Sequence, residues 1–294
     1  MMKIEIIFKN QPEEQDYMEA LMESIKADGH SCEPSNGTIF RAGDMRDDTD
    51  MLIAWSLNGP GKYCKEACRW QRKPLFVIEL GYFDPYQRRR DYKSISLLPN
   101  GEGIHNNSCG FVEQMEMTAE RLKDVFGVKV HMRKAKPIKG KVVILGQVPG
   151  DTQLDGLDIE KWCDERKEQL ESLGMDVTYR PHPQTLNERP ADWKPLSEEI
   201  EDAELVVGWN STSLVECIIK GIPFYCGDKN SQYRSMSCAL DNPVARLVKV
   251  RKQFLANLAW CNYSTEEIRK GMMWEHMLRL LNLQQEKENG KRSA

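Results

Sequence analysis

The chain has 294 residues, which is long for one hydrophobic core and comfortable for two domains. A net charge of −4 and an isoelectric point near 5.9 argue against a basic protein that coats nucleic acid, but leave room for a local basic groove. Nine cysteines, no stretch typical of a secretory leader and no apolar run of membrane-spanning length predict a cytoplasmic protein with reduced thiols. Cys64 and Cys68 lack a second Cys/His pair at zinc spacing, so no metal is expected.

The N-terminal part alternates apolar runs with helically spaced segments. The predicted elements, alternately strand and helix, are Lys3–Phe8, Glu13–Ala27, Asp50–Trp55, Tyr63–Arg72 and Pro74–Glu79. Such alternation predicts a parallel sheet, whose ligands bind beyond the carboxyl ends of the strands. Asn58, Glu79 and Tyr82 follow or end predicted strands and are therefore candidate ligand contacts.

The stretch Asp84–Ser108 shows no periodicity and is rich in Pro, Gly and Asn, which predicts a long functional or disordered loop. It contains Arg88, Arg89 and Arg90, with tyrosines nearby. Basic residues interleaved with aromatic ones can follow a phosphate backbone and stack on bases. A solvated run of charges is the alternative interpretation.

A polar, basic segment broken by a proline, Lys129–Lys141, predicts the linker between two domains, 1–135 and 136–294, with a hinge near Arg133–Lys141. The strands predicted in the second domain are Lys141–Leu145, Asp176–Arg180, Leu205–Val207, Ile222–Cys226 and Ala245–Val250. The tail is predicted to form the helices Phe254–Trp260 and Ser264–Leu283, the latter opened by a capping box, before a disordered end, Glu286–Ala294.

The stretch Glu204–Gly221 (ELVVGWNSTSLVECIIKG) predicts a buried strand, a tight turn and a helix. Its turn carries Ser211, Thr212 and Ser213, which offer hydroxyl groups at the amino end of the helix. Such a turn suits a phosphate group, while a well-capped but ordinary βαβ crossover is the alternative.

Three strands of the second domain end in polar loops, which a parallel sheet would bring to one edge. This edge fits a diphosphate attached to a nucleoside. The two prolines around His182 restrict its direction, and Glu216 is either a ribose contact or a first-turn acid that favours the helix dipole. The candidate residues are Gly146, Gln147, Asp151, Arg180, His182, Asn210, Ser211, Thr212, Ser213 and Glu216.

Three segments of the second domain resemble a known family. GQVPGD (Gly146–Asp151), RPHP (Arg180–Pro183) and WNSTSLVECIIKGIP (Trp209–Pro223) resemble motifs of bacterial capsule sugar transferases of the Kdo-transferring type. The His-Pro pair and the Ser/Thr pair, in this order, are also similar to those of bacterial sialyltransferases. The tail Leu258–Leu278 resembles that of small glycosyltransferase-like proteins of phages. The resemblance covers roughly Lys141–Leu280.

This resemblance implies a GT-B glycosyltransferase, an α/β protein whose two Rossmann-like domains face each other across a cleft and whose C-terminal helices return to the first domain. Domain 136–294 would bind the nucleotide-sugar donor, and domain 1–135 the acceptor. His182 would contact the donor phosphate or nucleotide, and Ser211 and Thr212 its phosphate. No metal or other cofactor is implied. The base that activates the acceptor hydroxyl would come from the first domain, with Glu79 as the first candidate and Glu102 and His105 behind it.

The acceptor expected from the sequence is a hydroxymethylated base in phage DNA, contacted by Asn58, Tyr82, Arg88, Arg89 and Arg90. The protein would then be located in the cytoplasm of the host cell. A surface polysaccharide or another glycan is the second acceptor considered. A sugar-nucleotide epimerase and a non-catalytic nucleotide-binding module are the rival functions.

Overall fold

A computed structural model of the chain describes residues 1–7, 12–35, 48–83, 91–102, 112, 115–133, 140–188, 190, 193–241 and 243–292. The chain divides into two compact units. Unit 1 is Met1–Gln114 together with Leu258–Ala294, and unit 2 is Met115–Asn257. The predicted boundary after residue 135 therefore falls inside unit 2. The tail, which the predicted bounds 136–294 include in the second domain, belongs to unit 1, in agreement with the expectation that the C-terminal helices return to the first domain.

Ten strands and nine helices lie in the described residues. The strands are β1 (Lys3–Ile7), β2 (Ser31–Ser35), β3 (Met51–Trp55), β4 (Leu75–Leu80), β5 (Tyr92–Leu98), β6 (Lys141–Leu145), β7 (Asp176–Arg180), β8 (Leu205–Gly208), β9 (Phe224–Cys226) and β10 (Asn262–Ser264). The helices are α1 (Pro12–Ala27), α2 (Pro60–Gln71), α3 (Glu120–Asp124), α4 (Ile159–Ser172), α5 (Leu196–Glu199), α6 (Leu214–Lys220), α7 (Val248–Ala259), α8 (Thr265–Arg269) and α9 (Met272–Arg292).

Unit 1 is built on a six-stranded sheet in the order β10-β5-β4-β3-β1-β2. The pairs among β1, β2, β3 and β4 are parallel, as predicted, whereas β5 pairs antiparallel with both β4 and β10. One face carries Ile6, Ile53 and Phe76 and packs on residues of α1, α8 and α9. The other face packs on the small side chains of α2.

Strand β5 lies in the stretch that was predicted as an unstructured loop. Its apolar residues alternate with Ser94 and Ser96, a strand pattern that is short and lies between prolines, glycines and charged residues, which favour a loop. Both serines are nevertheless fully buried. The Ser94 hydroxyl donates to the carbonyl of Leu80 over 2.8 Å, and the Ser96 hydroxyl lies 3.5 Å from that of Tyr82. Tertiary partners thus make a strand of a sequence with a weak local signal.

The tail returns to unit 1 and extends its sheet. The Asn262 side chain at the start of β10 accepts a hydrogen bond from the backbone N–H of Tyr82 over 2.7 Å. The predicted capping box is present, with Ser264 and Glu267 bonding each other's backbone N–H groups. Gly271, at φ +84, separates α8 from α9, where one helix was predicted. Helix α9 extends to Arg292, so the prediction of disorder from Glu286 is wrong over that range.

Unit 2 is built on a four-stranded, fully parallel sheet in the order β7-β6-β8-β9. Its core joins Val142, Ile144 and Val207 to Ile159 and Trp162 of α4. The strand predicted over Ala245–Val250 is absent, because the chain enters α7 at Val248. There the buried Arg251 guanidinium donates to the carbonyls of Ile218 and His131, over 2.7 and 2.9 Å.

None of the helices in the described ranges is long and apolar enough to cross a membrane. Within the same ranges, no three His, Cys, Asp or Glu side chains cluster as a metal site would require.

Candidate functional site

The carboxyl ends of β6, β7, β8 and β9 lie at one edge of the unit 2 sheet, because all four strands are parallel. The expectation that the three polar loops share an edge is therefore confirmed. Neighbouring strands are about 4.8 Å apart, so the loops after β7 and β8, on either side of β6, begin roughly 10 Å from each other. A fourth loop, after β9, extends the edge.

A buried hydrogen-bond network ties these loops together, with Asn210 at its centre. The backbone N–H of Asn210 donates to Oε1 of Gln147 over 3.0 Å, joining the loops after β8 and β6. Its side-chain Nδ2 donates to Oδ2 of Asp228 over 3.1 Å, and its Oδ1 accepts from the Ser231 hydroxyl over 2.6 Å. Each of these four residues is buried. The network fixes the backbone of three loops. Asn210 and Gln147 therefore hold these loops in place at the sheet edge, and their side chains do not face solvent.

Asp228 and Ser231 were not among the predicted site residues. They follow β9, and the rule that ligands bind beyond strand ends would have found them had it been applied to this strand as well. Burial raises the pKa of Asp228 above its usual value of 3.8. The backbone N–H of Asn230 donates to Oδ1 of Asp228 over 2.9 Å and opposes part of that shift.

The turn between β8 and α6 presents hydroxyl groups, as predicted. The Ser211 hydroxyl accepts from the backbone N–H of Ser213 over 3.2 Å. In the part of the chain that the structure describes, the half-buried hydroxyls of Thr212 and Ser213 bond to no protein group. The backbone N–H groups of residues 214, 215 and 216 donate to carbonyls of this same turn. Hydroxyls, rather than open amides at the start of the seven-residue α6, are therefore the donors that the turn offers.

His182 begins a single 3₁₀ turn, Pro183–Thr185, at the end of β7. Its Nδ1 accepts from the backbone N–H of Gln184 over 3.3 Å, which places the proton of the neutral imidazole on Nε2. The Thr185 hydroxyl donates to the His182 carbonyl over 2.8 Å and holds the turn. His182 is half-buried, so its ring is oriented by the turn and still partly open to solvent.

Arg180 is buried and engaged inside unit 2. Its guanidinium forms an ion pair with Glu199, donates to the carbonyl of Lys194 over 3.0 Å and lies 4.1 Å from the centre of the Trp193 ring. These groups line a cavity of about 570 Å³ beside α5. A contact between Arg180 and a donor would have to replace these partners, so its predicted role stays a prediction.

Gly146, Asp151 and Glu216 have local structural roles in the described structure. A Cβ on Gly146 would lie 2.5 Å from the Tyr179 hydroxyl and 3.3 Å from the Arg180 carbonyl oxygen, so this glycine lets the loop pass close to β7. The Asp151 carboxylate accepts from the backbone N–H of Gln153 over 2.9 Å and caps a short turn. Glu216 is half-buried and lies 3.9 Å from the Lys220 ammonium.

The predicted residues of unit 1 differ in exposure. Asn58 and Glu102 are exposed, and Glu79 is half-buried near the carboxyl end of β4. Tyr82 is 3% exposed, so it belongs to the packed interior rather than to an open acceptor surface. His105, Arg88, Arg89 and Arg90 lie outside the described residues.

No family model and no curated protein matches the sequence. The structure is similar to that of KpsC from Thermosulfurimonas dismutans, a beta Kdo 2,4 transferase, with a TM-score of 0.52, 12% identity and coverage of 92% of this chain and 98% of that chain. A beta Kdo 2,7 transferase structure of KpsC from the same organism has the same coverage at 13% identity, with a TM-score of 0.47. At such identity the first similarity shows the fold alone. The predicted α/β fold of two Rossmann-like units, of the GT-B class, is confirmed.

Proposed function

We propose that the chain is a glycosyltransferase that moves a sugar from a nucleotide-sugar donor to an acceptor hydroxyl. The observation that carries the proposal is the carboxyl edge of the unit 2 sheet. There a buried network fixes three loops, the half-buried hydroxyls of Thr212 and Ser213 lie in the turn after β8, and the half-buried imidazole of His182 lies at the end of β7. Rigid donors of this kind suit a phosphate group, whose oxygens only accept hydrogen bonds. The fold similarity to a Kdo transferase supports the same reading.

In this proposal the donor phosphate binds the Thr212 and Ser213 hydroxyls and Nε2–H of His182. As the glycosidic bond to the donor breaks, negative charge develops on the leaving phosphate. Donors that are already oriented stabilise this charge without reorganising, which is the largest electrostatic contribution in many enzymes. A base from unit 1 would take the proton of the acceptor hydroxyl, and Glu79 is the proposed residue.

Product analysis with radiolabelled nucleotide sugars tests the reaction class. Label on an acceptor supports a transferase, an altered free nucleotide sugar indicates an epimerase, and binding without turnover indicates a nucleotide-binding module.

Thr212→Val, which removes one hydroxyl at nearly constant volume, should lower transfer. Thr178→Val, on the exposed side of β7, is the matched control and should not. Equal activity in the two variants would remove Thr212 from the donor site.

The proposed acceptor is a hydroxymethylated base in DNA, with a glycan as the second candidate. The DNA proposal depends on the arginines at 88–90, and its test is the salt dependence of binding. Binding to hydroxymethylated DNA should weaken steeply with salt, and Arg88→Ala with Arg89→Ala should reduce the slope by about two phosphate contacts. Transfer to an oligosaccharide, together with no binding to this DNA at low salt, would select the glycan.

A further inference from the structure

Helix α2 of unit 1 packs in an unusual way, with small side chains inside and large ones outside. It buries Gly61, Cys64, Ala67 and Cys68 against the sheet. Trp70, by contrast, is 89% exposed, and Tyr63, two turns earlier on the helix, is 37% exposed. The core of unit 1 therefore does not account for either aromatic ring.

The exposed side of the helix is also strongly basic. Pro60–Lys73 holds five cations and one carboxylate, while the whole chain has a net charge of −4. Lys62, Arg69 and Arg72 are exposed and form no ion pair within the described ranges. We name this surface, made of Lys62, Tyr63, Glu66, Arg69, Trp70, Arg72 and Lys73, the basic-aromatic face. The exposed Glu66 is the one carboxylate on it.

The helix that carries this face is firmly held. A Cβ on Gly61 would lie 1.8 Å from the carbonyl oxygen of Ser56, and one on Gly101 would lie 2.5 Å from that of Lys65. The backbone of α2 thus lies directly against neighbouring backbone at its first turn and again in the turns between Lys65 and Arg69. The basic-aromatic face is consequently presented on a fixed convex helix.

We propose that the basic-aromatic face docks unit 1 on the surface of an anionic phospholipid bilayer. Indole and phenol rings favour the headgroup region, where an apolar ring and a polar edge are both satisfied. Lysine and arginine near such a surface gain electrostatic attraction to anionic lipids. A planar bilayer accepts a convex helix, whereas single-stranded nucleic acid binds in grooves with several stacking rings in succession. This inference does not depend on the proposed function.

Flotation with vesicles tests the proposal. The full chain should bind vesicles of three parts phosphatidylcholine to one part phosphatidylserine, and bind pure phosphatidylcholine much less. Lys62→Glu with Arg69→Glu should lower the partition coefficient at least about 30-fold, and Trp70→Ala about tenfold. Lys123→Glu with Lys161→Glu, both exposed in unit 2, and Leu173→Ala, at a residue 59% exposed, are matched controls that should leave it unchanged.

Fluorescence gives a second measurement that does not depend on the charge variants. The emission of the full chain minus that of Trp70→Phe isolates Trp70, and this difference should shift to the blue when the anionic vesicles are added. Equal binding to both vesicle types, or equal loss in test and control variants, would overturn the proposal. It would also be overturned if these substitutions weakened binding to a single-stranded oligonucleotide while vesicles remained unbound.

Discussion

His182 uses the two nitrogens of its ring differently. Nδ1 accepts from the backbone of Gln184, and Nε2 carries the proton that a phosphate oxygen could accept. The sequence predicted a fixed direction from the flanking prolines, whereas the 3₁₀ turn and the Thr185 hydroxyl also hold the residue in place. The residue was predictable from its position after a strand, but its tautomer depends on a contact that only the folded turn provides.

We expect His182→Asn to weaken nucleotide binding while keeping the turn, because the Asn oxygen can still accept from Gln184. Losing one hydrogen bond to a charged phosphate costs about 1.5–3 kcal/mol, or roughly one to two decades in affinity. Calorimetric titration with nucleotides bound by the unmodified chain measures this loss. The control is His131→Asn, at an exposed residue of unit 2. Equal affinity in the two variants would exclude His182 from the site.

Two carboxyl groups of unit 2 should respond to pH in opposite directions. Burial raises the pKa of Asp228 above 3.8, so its ionised form costs stability, and this cost appears as pH rises from 3.8 through the raised pKa. A hydrogen bond from Lys141 lowers the pKa of Asp202, so its contribution is present above 3.8 and is lost as pH falls through the lowered pKa.

Urea unfolding from about pH 3 to about pH 7 measures both effects. The stability of the unmodified chain minus that of Asp228→Asn should fall with rising pH. The same difference for Asp202→Asn should rise, and only slightly, because Asp202 is exposed and its ion pair is screened. Slopes of the same sign in the two variants would contradict these assignments.

At the scale of elements, the loop after β9 depends on one close approach. Gly227 lies between two indole rings, and a Cβ there would be 2.6 Å from atoms of both Trp162 and Trp209. The rings themselves pack edge-to-face at 5.5 Å. Because both rings belong to the packed core of unit 2, the loop that carries Asp228 is held against α4.

Gly227→Ala should therefore destabilise unit 2 by about 1–3 kcal/mol through overpacking. Gly290→Ala, in α9 where no atom lies within 4 Å of an added Cβ, is the matched control. It should stabilise its helix by up to about 1 kcal/mol. Thermal or urea unfolding of the two variants measures the contrast, and a neutral Gly227→Ala would mean that the indoles can separate at little cost.

Element prediction from the sequence succeeded where one signal dominated. The buried strands β6 and β8 are short apolar runs, and Gly221 closes α6 in the left-handed conformation, as its pattern predicted. It failed where tertiary contacts decided the outcome. The serines of β5 find buried partners, and Arg251 in α7 bonds carbonyls distant in sequence.

At the scale of the whole molecule, the chain leaves unit 1 for unit 2 and comes back. The returning tail supplies β10 and core residues of unit 1, including Tyr263, Trp274 and Met277. The Trp274 indole also donates to Asp28 over 2.8 Å. The resemblance of the motifs indicated both the fold class and the return of the C-terminal helices. The boundary predicted after residue 135 differs from the observed one because the basic, proline-containing segment Lys129–Lys141 lies within unit 2.

Fragments of the chain cut at the unit boundaries should differ in whether they unfold cooperatively. We expect residues 115–257 to unfold cooperatively by themselves, since their sheet and core lie within one continuous segment. Residues 1–114 should lack a cooperative transition until residues 258–294 are supplied in trans, because the tail covers the part of one sheet face that α1 leaves open and pairs β10 with the β5 edge. Circular dichroism during urea titration distinguishes these outcomes. A cooperative transition of 1–114 alone would show that the tail is dispensable.

The position of β10 in the chain also affects biosynthesis. A ribosome releases the first five strands of unit 1 early, but β10, which pairs with β5, is synthesised only after all of unit 2. Until then the nascent chain carries an open strand edge and an apolar face that α1 covers only in part, and both favour association with other chains. Unit 2 can fold while unit 1 is still incomplete. We therefore expect this protein to depend on chaperones during translation more than a protein in which each unit is formed by one continuous segment of the chain.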